Sequence, residues 1–96
     1  MGIYYNPGEE VQRIGRKLDD KGNYDTLQSH LKEGELLFCV SDVFTARTNP
    51  IRALYVETKE DFIETMKGKW QCCYDILGFY ALTREQAEKG CHCNIP

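Results

Sequence analysis

A chain of 96 residues, 42% hydrophobic and 28% charged, has room for one domain around one core and is too apolar to stay unfolded. Its formal charge of −3 argues against a broad phosphate-binding surface, which needs positive charge, and against a nucleic-acid mimic, which needs a dense acidic face. No apolar run approaches the roughly 20 residues of a membrane span, and the first residues lack the hydrophobic stretch of an export signal. A single cytoplasmic domain over 1–96 is therefore expected, and its five cysteines, an odd number, read as reduced thiols rather than a disulfide framework.

Asn6-Pro7-Gly8-Glu9-Glu10 has the form of a helix start: a capping Asn, a Pro in the first turn and two acids at the positive end of the dipole. Val11, Ile14 and Leu18 fall on one face, which predicts a helix over about 8–19, weakened by Gly15 and ended by the polar run 19–23. A second, shorter helix is expected over about 24–32, with Leu27 and Leu31 as its buried pair and Gly34 as its stop.

Residues 36–44 are rich in branched and aromatic side chains and predict a strand. The polar turn 45–50 and a returning strand over 51–57 complete a hairpin. Thr58-Lys59-Glu60-Asp61 has a capping arrangement that opens a helix through Phe62, Ile63 and Met66, closed by Gly68. Residues 70–82 are the longest apolar stretch and predict a central strand. Thr83-Arg84-Glu85-Gln86 has the capping-box form, so a short last helix is expected to reach Lys89 and stop at Gly90. The order α-α-β-β-α-β-α gives an α+β fold, with a small, mainly antiparallel sheet of about three strands packed by helices.

Side chains capable of chemistry gather near the end of the chain: Cys72, Cys73, Cys91, His92 and Cys93. Structural zinc sites space their ligands so that two side chains converge on one ion. Cys72 and Cys73 are adjacent, and neighbouring strand residues point to opposite faces, so only one of them could join Cys91 and Cys93. No metal or other cofactor is expected. The alternative is a small zinc-stabilised domain in which three thiolates are completed by solvent or by His30. A cysteine nucleophile needs a His within reach; Cys73, His92 and Asp75 have the right types, but no motif brings them together. Asp42 and Asp75 sit within apolar strand stretches, where a carboxylate pair could do acid–base work, though a strand end or an exposed face explains each more simply. With no phosphate-binding glycine loop, nucleophile elbow or zinc-protease motif, the chain reads as non-catalytic.

The aromatic pattern carries more. Trp70, Tyr74, Ile76, Tyr80 and Leu82 share one parity of the long strand, while Leu77, Phe79 and Ala81 on the other parity are also apolar. A strand apolar on both faces needs cover on both, supplied by the remaining helices or by another chain. Tyrosine suits surfaces where the ring is buried and the hydroxyl stays wet. Trp70, Tyr74, Tyr80, Tyr55 and the turn residue Arg47 are accordingly the expected contacts to a protein partner, with homodimerisation one form that contact could take. Arg13, Arg16 and Lys17, and separately Arg47 and Arg52, concentrate positive charge. Against the overall acidity they read as solvated charges rather than a nucleic-acid surface.

The opening segment Gly2-Ile3-Tyr4-Tyr5-Asn6-Pro7-Gly8-Glu9-Glu10-Val11 and the segment Leu31-Lys32-Glu33-Gly34-Glu35-Leu36 resemble early-region phage proteins. In general character the chain is similar to the small accessory proteins of bacteriophages and mobile elements, including anti-defence and anti-CRISPR-type inhibitors. The resemblance spans about a third of the chain and carries no site. It implies an inhibitor that works in the host cytoplasm by stoichiometric binding of a host or defence protein. The competing class is a small-ligand or enzymatic domain using Cys73 or Asp75.

Overall fold

A computed structural model describes residues 5–18, 23–43, 51–67 and 74–91. In chain order the elements are β1 (Tyr5–Pro7), α1 (Gly8–Ile14), β2 (Arg16–Leu18), α2 (Tyr24–His30), β3 (Glu35–Val43), β4 (Ile51–Val56), α3 (Lys59–Met66), β5 (Tyr74–Thr83) and a π-helical segment, Gln86–Gly90. The five strands form one antiparallel sheet in the order β1-β4-β3-β5-β2. The α+β class holds, and the three expected strands make its centre, with β3 and β4 paired as the hairpin requires. Two three-residue strands, β1 and β2, extend it to five.

The sheet separates two apolar layers. Opposed residues of an antiparallel pair share a face, so the register lays Tyr55, Phe38 and Tyr80 in one row beneath α1. Val11, Val40, Ala53, Leu82, Ala87 and Cys91 pack around that row, with Ile14 and Leu36 at its margin. On the other face Leu54, Cys39, Phe79 and Leu18 form the matching row. Leu27 of α2 and Phe62 of α3 close over that face. Helices of the same chain therefore cover both of these rows.

The first helix is shorter than the sequence suggests. It stops at Ile14, and the Gly15 N–H donates to the Val11 carbonyl at 2.8 Å. A β-carbon at Gly15 would sit 2.8 Å from that carbonyl and 2.9 Å from Leu82 Cδ1, so only glycine lets the chain turn this close to β5. Residues 16–18 then pair with Ala81, Tyr80 and Phe79. Sheet pairing overrides the helical spacing, and Leu18 joins Leu27 and Phe79 across the sheet from Val11. The second helix ends at His30, two residues early, and the Gly34 turn with φ +83° leads into β3.

Strand β5 carries one irregularity. Val40 is opposite Gly78 and Ser41 is opposite Ile76, which leaves Leu77 without a partner on β3. This bulge inverts the face assignment along β5. Ile76 accordingly packs with the Phe79 layer, although it shares sequence parity with Tyr80.

Candidate protein-binding face

Helix α3 is anchored at its N-terminus by a cap and along one face by Phe62. Thr58 Oγ1 accepts from the Asp61 N–H at 3.1 Å, and Asp61 Oδ2 accepts from the N–H groups of Thr58 at 3.2 Å and Glu57 at 3.3 Å. This is the reciprocal cap expected from the sequence, and it draws the Asp61 side chain inward. Thr65 Oγ1 donates to the Asp61 carbonyl at 2.8 Å, which keeps the second buried polar group satisfied. The Phe62 ring lies 5.6 Å from Tyr24 of α2 and 5.6 Å from Phe79 of the sheet, both in tilted contacts.

With Asp61, Phe62 and Thr65 facing inward, the opposite side of the helix is fixed as its presented surface. It carries Ile63, 40% exposed, and Met66, 41% exposed, among the exposed charges Lys59, Glu60 and Lys67. Ile63 and Met66 are three residues apart and thus neighbours on a helix surface. Leu77, 38% exposed at the β5 bulge, is the other large apolar side chain left open among the described residues. Ile63 and Met66 read in the sequence as part of the helix's apolar set along with Phe62. The Thr58–Asp61 cap was the signal that could have separated them, because turning Asp61 inward turns positions 63 and 66 outward.

The contacts expected from the aromatic pattern are distributed differently. Tyr55 and Tyr80 are each only 7% exposed and belong to the α1-side core, with the Phe38 ring 5.5 Å from Tyr55. Burial pushes the Tyr55 phenol above its ordinary value, with Glu57 adding to the effect. Both rings are core, which corrects their assignment as partner contacts: the cover they require comes from α1 and the π-helical segment. Tyr74 opens β5 opposite Val43. Trp70 and Arg47 lie outside the described residues.

Of the residues with chemical potential, Cys39 is buried in the Phe79 layer, and burial pushes its thiol up to about 12. It is therefore a neutral core thiol near pH 7, not a nucleophile. Cys91 is also buried, under α1. Cys72, Cys73, His92 and Cys93 lie outside the described residues, and among the described residues no three His, Cys, Asp or Glu side chains gather to hold a metal. His30 is exposed at the end of α2, where its carbonyl accepts from Arg16 Nη2 at 2.9 Å.

The two strand acids are brought together: Asp42 on β3 is opposite Asp75 on β5 and, on its other side, Ile51 on β4. Among the described residues Asp42 Oδ1 is buried without a hydrogen-bond partner. Among the described residues no helix is long and apolar enough to cross a membrane. Comparison with protein-family models, with curated proteins and with solved structures finds no match in any of the three.

Proposed function

We propose that this chain is a non-catalytic binding module that acts by stoichiometric association with another protein through the outer face of α3. The observation that carries the reading is the exposed Ile63–Met66 pair on a helix locked from beneath by the Thr58–Asp61 cap and by Phe62. A rigid element presenting apolar side chains within a charged rim loses little conformational entropy on docking, which favours affinity. The neutral, buried Cys39 thiol supports a binding role over nucleophilic chemistry at that residue. The resemblance to phage anti-defence inhibitors adds a partner class, a host or defence protein in the cytoplasm.

The test is affinity capture from host lysate, followed by calorimetric titration of the captured partner against wild type and an Ile63→Glu/Met66→Glu variant. Truncating a central anchor can cost about 2 kcal/mol, a roughly 30-fold loss, and a charge placed there should cost at least as much. The variant should keep the wild-type circular dichroism and unfolding midpoint. Equal affinity in a folded double variant would remove α3 from the interface. Tyr74→Ala and Arg47→Ala, titrated in the same way, would then ask whether the sheet end and hairpin turn carry the contact.

A further inference from the structure

We draw no further inference here: the strongest candidate, the exposed Ile63–Met66 face of α3, belongs to the site already described, and nothing in the structure shows what covers it.

Discussion

Arg16 Nη2 lies 2.5 Å from Glu35 Oε1, joining the edge strand β2 to the first residue of β3 across the intervening strand β5. Ala81 is the β5 residue opposite Arg16 on one side and Leu37 on the other, so a small side chain lies beneath the bridge. The same guanidinium donates to the His30 carbonyl at 2.9 Å, and the Lys32 N–H donates to Glu35 Oε1 at 2.8 Å. One ion pair thus fastens the end of α2, its exit turn and two strands.

That pair makes stability depend on pH with a defined sign. The Arg16 hydrogen bond holds the Glu35 carboxyl below its ordinary value, opposed by burial and helped by the Lys32 N–H. The folded state therefore gives up this proton more readily than the unfolded chain. Its contribution is complete above the unfolded glutamate value and is lost as pH falls through the lower folded value. Arg16→Met should cost about 1–2 kcal/mol near neutral pH, kept modest because Arg16 is partly solvated. Denaturant titrations across the acid range should show the cost shrinking as Glu35 protonates; a pH-independent cost would mean that Arg16 acts through packing alone.

The buried Oδ1 of Asp42 predicts the reverse outcome for a substitution. Asp42 Oδ1 has no hydrogen-bond partner among the described residues, and a buried carboxylate oxygen left unpaired is destabilising. Asp42→Asn should raise the unfolding midpoint by about 0.5–1 kcal/mol equivalent at neutral pH. A clear loss of stability instead would mean that the carboxylate itself is bound by something the fold requires.

At Gly34 the backbone alone sets the cost. Its φ of +83° is left-handed, and a β-carbon there would meet nothing within 4 Å. Gly34→Ala should lose about 1 kcal/mol with no steric contribution, and Gly34→Asn less, because Asn tolerates this conformation. Equal stabilities for the three proteins in denaturant unfolding would show that the turn relaxes to another conformation.

The two sides of α3 should respond very differently. Phe62→Ala removes the ring between Tyr24 and Phe79 and should cost about 3–4 kcal/mol. Ile63→Ala, on the open side, should change stability by no more than about 0.5 kcal/mol. Comparable losses at both positions would mean that Ile63 is covered in solution, and concentration-dependent unfolding would identify a second copy of the chain as the cover.

Local chemistry was legible in the sequence, and long-range pairing much less so. Thr58 with Asp61, and Thr83 with Gln86, could be read as caps because each is complete within four residues; Gln86 N donates to Thr83 Oγ1 at 3.1 Å and Thr83 N to Gln86 Oε1 at 2.9 Å. Strands β1 and β2 are three residues each, too short to show an alternating period. Leu18 moreover fits the helical spacing of Val11 and Ile14 as well as it fits a strand. Part of the face assignment turned on a single residue: the Leu77 bulge is invisible to parity counting, yet it places Ile76 and Tyr80 on opposite faces. The last helix was located, but its π-helical winding over Gln86–Gly90, which carries Ala87 and leads into Cys91 in the core under α1, has no local signal.

That docking reverses what the position after Gly90 suggests for Cys91. Placed just beyond the helix-stopping Gly90, it reads from sequence as an exposed thiol that reacts quickly with a thiol reagent. Instead it is 1% exposed among Val11, Phe38 and Ala87. Cys39 is buried in the opposite layer, with its thiol pushed up to about 12. Both should label only as fast as the chain opens, and residue-resolved mass spectrometry after brief alkylation measures each rate separately. A β-carbon at Gly90 would sit 2.7 Å from Ile14 Cδ1, the tip of a side chain that can turn aside, so the bulkier Gly90→Val should loosen the packing of the π-helical segment on α1. It should speed labelling of Cys91 several-fold while leaving Cys39, on the far side of the sheet, close to its wild-type rate. Equal acceleration at both cysteines would mean that the two layers open as one unit, and rapid labelling of Cys91 in the wild-type protein would mean that the segment is not docked at all.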